Sequence, residues 1–144
     1  MPVPPSCYHA MASATVIANL SASDETTGKD LYRRELVKNQ SARLISGYIY
    51  ADAGEGESST DLVFAGHNLI AENGSILSET KRFENGMTIS EIDLGRLVSE
   101  RRRMSTFTIN DPETNGYEVA EFEFKNICDT TLTRHFEKTP FVPN

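Results

Sequence analysis

Tryptophan is absent from the 144 residues, and only two cysteines and three histidines occur. Cys7 and Cys128 lie far apart in sequence. Two thiols cannot fill a zinc site alone, and the opening Met1-Pro2-Val3-Pro4-Pro5 has neither the basic nor the apolar region of a secretion signal. A disulfide framework is therefore not expected, and a cytoplasmic location is. His9, His67 and His135 are not spaced as a ligand pair, so no metal is expected either. No apolar stretch approaches the roughly 20 residues that span a bilayer. Basic charge is also scarce: 14 Lys and Arg stand against 21 Asp and Glu, a formal net charge of −7. That balance argues against a nucleic acid or an anionic membrane as partner, since both need concentrated positive charge.

What remains is the composition of one soluble domain, with 38% hydrophobic residues, and a mixed pattern along the chain. The proline-rich start reads as a loop, followed by a small-residue stretch, His9 to Ser13, that ends a short helix. Thr15 to Leu20 is a continuous β-branched run of the kind found in a strand buried on both faces. After a polar loop, Thr27 and Asp30 have the spacing of a capping box. The helix that follows, to about Ser46, places Tyr32, Leu36, Val37, Leu44 and Ile45 on one face and Arg33, Arg34, Lys38 and Arg43 largely elsewhere. Gly47 to Ala51 is the next strand, completing a parallel βαβ unit.

Beyond it the pattern turns antiparallel. Asp61 to Gly66 reads as a strand. His67 to Glu72 and Ser75 to Phe83 flank Asn73-Gly74, the strongest short-range hairpin signal in the sequence. Ile89 to Ile92 is short and β-like, Asp93 to Met104 reads as a helix, and Tyr117 to Phe124 alternates as a strand after Asn115-Gly116. Thr139 to Pro143 has the prolines of a linker. A doubly covered first strand needs more helices than the two convincing ones here, so the chain reads as a piece.

Few residues carry chemistry. Cys7 and His9 invite a nucleophile–base reading, but no third group on that entry segment fixes the imidazole, and an incidental, partly buried thiol is the simpler account. Cys128 has no obvious base nearby. Gly54-Glu55-Gly56-Glu57-Ser58-Ser59 mimics a phosphate loop, yet its two carboxylates would repel phosphate and its spacing fits neither nucleotide fingerprint. Arg101 to Arg103 end a helix and read as a solvated, dipole-matched face. Ser23 and Lys29 bracket a loop at the carboxyl end of a buried strand, where open α/β sheets place ligands. A hydroxyl and an ammonium at a helix start can hold an amino acid's α-carboxylate; an exposed lysine on a capped helix is the plainer alternative.

Several segments together resemble one family. Pro2-Val3-Pro4-Pro5-Ser6, Ala14 to Ser23, Tyr48 to Ala51, Ala53 to Leu62, Glu72-Asn73-Gly74, Glu91 to Leu94, Arg101 to Phe107 and Pro140 to Pro143 are similar, in order, to the amidase domain of glutamine-dependent NAD synthetases. The Gly-Glu-Gly-Glu-Ser run is the most specific of these. The resemblance implies an α/β fold, half of a nitrilase-like four-layer α-β-β-α sandwich. Residues 1–138 would be the C-terminal part of a carbon–nitrogen hydrolase (glutaminase) domain, and 139–144 the start of a linker to a synthetase domain.

It further implies a Glu–Lys–Cys triad, whose members the family carries upstream of the Pro2 segment, so that no catalytic residue is expected in this chain. Ser23 and Lys29 match the family's glutamine-binding serine and the basic residue after its polar loop, with lysine in place of arginine. ATP and magnesium are expected only in the synthetase domain. L-glutamine, that domain and further copies of the chain are the expected partners. Two alternatives stay open: another carbon–nitrogen hydrolase of the nitrilase superfamily, or a non-catalytic, self-associating scaffold.

Overall fold

A computed structural model describes residues 2–110, 112, 116–123 and 131–136. The chain runs α1 (Pro5–Met11), β1 (Val16–Ser21), α2 (Lys29–Leu44), β2 (Gly47–Asp52), β3 (Leu69–Glu72), β4 (Ser75–Glu79) and α3 (Leu94–Arg103). The strands form one sheet in the order β1-β2-β3-β4. β1 and β2 are parallel, with Ile17 beside Tyr48 and Ser21 beside Asp52, whereas β2–β3 and β3–β4 are antiparallel. The expected parallel unit and the antiparallel region after it are both present.

The hairpin forms where Asn73-Gly74 places it. Asn73 has φ 42° and Gly74 φ 85°, the paired positive angles of the turn whose twist suits two adjoining strands. The Gly74 N–H also donates to Ser41 Oγ at 2.9 Å, tying the turn to α2.

α1 replaces the expected proline loop. Pro5 sits at the first helical position, where its missing N–H costs nothing and its fixed φ already suits a helix. On one sheet face, Ile17, Tyr48, Tyr50, Leu69 and Ala71 pack with Cys7 and Ala10 of α1 and with Val37 and Leu44 of α2. On the opposite face β1 is thinly covered: Leu20 is 87% exposed and Val16 37%. The expectation of a strand buried on both faces is thus overturned within the described residues, because α1 and α2 pack on the same core cluster and β1 pairs only with β2.

Other expectations also give way. The capping box at Thr27 and Asp30 does not form; the N-cap of α2 is Gly28 at φ 77°, with no side chain capping it. α2 buries Arg33, Val37, Gln40, Ser41 and Leu44, while Tyr32 and Leu36 are exposed. The buried stripe has helical spacing but is mostly polar, each polar member having a partner. Gln40 donates to Ser6 Oγ at 2.7 Å, and Ser41 donates to the Lys38 carbonyl at 2.8 Å.

Residues 61–66 are not a strand. They cross the loop after β1, where the Glu25 N–H donates to the Val63 carbonyl at 2.6 Å, a lone bond rather than a ladder. Residues 89–92 and 117–123 likewise have no strand pairing. Cys128 and the expected linker at 139–144 lie outside the described residues. Among the described residues no helix is long and apolar enough to cross a membrane.

Arg101 corrects the reading of residues 101–103 as solvated. It is 3% exposed, and it donates to the carbonyls of Ile45 at 3.0 Å, Leu44 at 2.9 Å and Ala14 at 2.7 Å. Its guanidinium lies 4.8 Å from the centre of the Phe107 ring. α3 is started by Asp93, whose carboxylate accepts from the Arg96 N–H at 2.8 Å, a side-chain N-cap.

Candidate functional site

Open α/β sheets bind ligands in crevices beyond the carboxyl ends of their parallel strands, bounded by the loops that follow them. Here those ends are Ser21 and Asp52, in register. The loop after β1 carries Ser23, Asp24 and Glu25 and leads into α2; the loop after β2 carries Gly54 to Ser59.

Ser23 is half-buried just past β1. Its backbone N–H donates to Asp52 Oδ1 at 3.0 Å, and its carbonyl accepts from Arg33 Nη2 at 3.5 Å, the long end of hydrogen-bond range. Lys29 is the first residue of α2, and its ammonium pairs with Asp24 Oδ1 at 2.7 Å. That ammonium, through its hydrogen bond and its charge, holds the Asp24 carboxyl below its ordinary value. Lys29 therefore reaches the residue next to Ser23, from the helix that ends the short loop carrying Ser23.

Behind them lies a charge cluster that the sequence reading passed over. Arg33, one turn after Lys29, is 2% exposed. Its Nη2 meets Glu25 Oε2 at 2.8 Å and Asp52 Oδ2 at 3.5 Å. Burial alone would push the guanidinium pKa down, but the hydrogen bond to Glu25 and the charges of Asp52 and Glu25 outweigh it and raise the value. Arg33 Nη1 also lies 3.2 Å from His67 Nδ1. A guanidinium can only donate, so Nδ1 is the acceptor and the ring proton sits on Nε2, which faces Glu79 at 3.7 Å. Burial, and next the Arg33 charge, lower the His67 pKa. Arg82 closes the cluster from outside, 3.2 Å from Glu25 and 3.4 Å from Asp30.

Arg33 was placed off the apolar face of α2, with Arg34, Lys38 and Arg43. Asp52 was missed although it ends β2, a position that its register with Ser21 marks as a crevice wall. Cys7 and His9 do not form a nucleophile–base pair. The buried Cys7 thiol lies 3.7 Å from Gln40 Nε2, and His9 Nδ1 lies 2.8 Å from the Tyr117 hydroxyl. A cavity of about 290 Å³ opens between α1, α2 and the sheet, lined by Pro4, Pro5, Asn19, Leu36, Tyr48 and Tyr50 among others. Neither Ser23 nor Lys29 lines it, but Tyr50 connects the two regions, its hydroxyl donating to Asp52 Oδ1 at 3.4 Å. The site offers an ammonium, a half-buried serine and a main chain gripped from behind. No nucleophile–base pair stands beside them among the described residues.

Comparison with characterised proteins gives this geometry a setting. The glutamine-dependent NAD(+) synthetase of Mycobacterium tuberculosis strain H37Rv is 43% identical over 153 aligned residues, spanning 99% of this chain. The chain is homologous to one stretch of the glutamine-dependent NAD(+) synthetases. The Mycobacterium leprae synthetase is 42% identical, again over 99% of the chain. In both cases the chain spans 22% of the relative's own length. No family model matches.

Among solved structures, a glutamine-dependent NAD(+) synthetase from Cytophaga hutchinsonii aligns at TM-score 0.50 and 32% identity, covering 53% of this chain and 13% of that one. The synthetase from Acinetobacter baumannii, solved with adenosine diphosphate, aligns at TM-score 0.56 over 62% of this chain and 17% of its own. At 21% identity that second likeness speaks to the fold alone. The mixed α/β unit of nitrilase type implied by the sequence resemblance is the fold observed.

Proposed function

We propose that the chain is the part of a glutamine-dependent NAD synthetase that binds glutamine for amide hydrolysis. The observation that carries this reading is the 43% identity extending over 99% of the chain, together with a strand-end loop that presents Ser23 and Lys29. Residues 1–138 then belong to the carbon–nitrogen hydrolase domain, and 139–144 begin the junction toward a synthetase domain, which is where ATP and magnesium act. The cysteine nucleophile comes from sequence that the family carries ahead of the Pro2 segment, so this chain contributes recognition rather than bond-making.

In this reading Ser23 and Lys29 hold the α-carboxylate of L-glutamine. Lysine does so as a point charge, without the two-pronged fork of an arginine. The bare face around Leu20 and Val16 is covered by further sequence of the same protein or by another copy, and the protein works in the cytoplasm.

The test is steady-state glutaminase kinetics on the complete gene product. Ser23→Ala and Lys29→Ala should each raise the KM for glutamine about tenfold, which corresponds to the loss of one hydrogen bond to a charged group. An unchanged glutamine KM in both variants would remove Ser23 and Lys29 from the binding site. Ammonia released from glutamine by residues 1–144 alone, and abolished by Cys7→Ala, would overturn the assignment of the nucleophile to other sequence.

A further inference from the structure

We infer that Asp52 and Arg33 are positioning residues for Ser23, which together set where its hydroxyl stands in the crevice. The inference rests on the reading of Ser23 as a glutamine contact and adds the means by which that contact is held. Ser23 lies beyond the last residue of β1, so no strand ladder fixes its backbone. Its N–H and its carbonyl are held instead by side chains from two other elements, Asp52 at the end of β2 and Arg33 in α2. Rotating the peptide on either side of Ser23 would break one of these bonds, so the pair constrains both dihedrals that aim the side chain.

The clamp is itself rigid. The Asp52 side chain is fully buried and that of Arg33 is 2% exposed, and the two approach to 3.5 Å. Glu25, on the same loop, holds Arg33 at 2.8 Å. Buried charges of this kind are held by their mutual pairing, because separating them would strand a charge away from water. Asp52 Oδ2 has no hydrogen bond of its own and is paired with Arg33 among the described residues, while Oδ1 serves Ser23 and the Tyr50 hydroxyl.

A network that served only stability would not need to converge on the main chain of one loop residue. Asp52 and Arg33 do, and that residue lies just past the carboxyl end of β1. A displacement of about 1 Å at a binding contact is enough to lose a large part of its contribution.

Glutaminase kinetics on the complete gene product test the inference, using Asp52→Asn, Arg33→Lys and Ser23→Ala, and Asp52→Asn combined with Ser23→Ala. Asp52→Asn keeps shape and an acceptor but removes the charge that orients Arg33; Arg33→Lys keeps the charge and removes the fork. Each should raise the glutamine KM about five- to tenfold while kcat falls by less, the signature of lost binding geometry rather than lost folded enzyme. In the double variant, Asp52→Asn should add less than about twofold to the effect of Ser23→Ala, since a residue that acts through Ser23 has nothing left to act on.

Thermal melts accompany each variant, and the isosteric Asp52→Asn carries the test if Arg33→Lys fails to fold. A multiplicative double variant, or a fall in kcat with KM unchanged, would overturn the positioning role while leaving Ser23 in the site. An unchanged KM in Ser23→Ala would remove the site itself, and the positioning role with it.

Discussion

Two buried arginines flank α2, one at each end, and their environments are opposites. Arg33, near the start of the helix, is matched by carboxylates: Glu25 at 2.8 Å and Asp52 at 3.5 Å. Arg101, reaching in from α3 to the end of the helix, has no carboxylate partner among the described residues and binds main-chain carbonyls and the Phe107 ring instead. The physical consequence is opposite in sign. Carboxylates raise the Arg33 pKa against its burial, while burial lowers that of Arg101. One arginine balances charge beside the crevice. The other satisfies carbonyls that the last turn of a helix necessarily leaves open, and fastens them to the turn ahead of β1.

The largest effect expected from breaking this contrast is at Arg33. Arg33→Met leaves Asp52 buried without its cation and Glu25 with Arg82 only, which costs about 3–5 kcal/mol at pH 7. Much of that loss should be recovered as the pH is lowered toward 5, because a buried carboxylate without a cation takes up a proton instead. Urea melts of the variant and parent chains at several pH values measure both. A deficit that does not shrink on acidification would show that the carboxylates are not what Arg33 balances.

Arg101→Met should be somewhat less costly, about 3 kcal/mol for carbonyls left without donors, and its deficit should be flat over the same pH range. Carbonyls do not titrate. A deficit that tracks pH as the Arg33 deficit does would mean that Arg101 has an acidic partner after all.

The contrast also explains what the sequence could and could not disclose. The β1–α2–β2 unit and the hairpin were legible because local rules govern them: β-branched runs for the strands, and Asn73-Gly74 for the turn. α1 was not, since Pro5 suits a first helical turn as well as it suits a loop. The covered face of α2 was legible only in part: Val37, Leu44 and Ile45 are buried as apolar periodicity placed them, but Tyr32 and Leu36 are exposed while the structure buries Arg33, Gln40 and Ser41.

Periodicity assumes that buried means apolar, and it fails wherever polar side chains are paired one by one. Arg33 was placed off the apolar face for that reason, and Arg101 was read as solvated because charges at a helix end match its dipole. Ser23 and Lys29 stood out because they flank a loop at a strand end. Their supports, Asp52 and Arg33, are separated from Ser23 by 29 and 10 residues respectively, and only the folded register brings them together.

The smallest expected effect sharpens the Arg33 end of the comparison. His67 faces Arg33 through Nδ1 and Glu79 through Nε2, with Glu25 and Arg82 in the same cluster and Arg34 bound to Glu79 at 3.1 Å. Its pKa is lowered in the folded chain, by burial and then by Arg33. At pH values above the ordinary histidine range, near 6.5, the ring is neutral both folded and unfolded, and it contributes no pH dependence. As the pH falls below that range the unfolded chain takes up a proton that the folded chain resists, so stability declines through the interval between the ordinary and the lowered value. A proton on Nδ1 would also point at the Arg33 N–H that it now accepts from. His67→Gln retains an acceptor for Arg33 and cannot be protonated, so the variant should lose this part of the pH slope between about 7 and 5. Parallel melts of the two chains across that interval decide the matter. Identical slopes would mean that His67 takes up its proton without opposition from Arg33, and that the cluster behind Ser23 is looser than its distances imply.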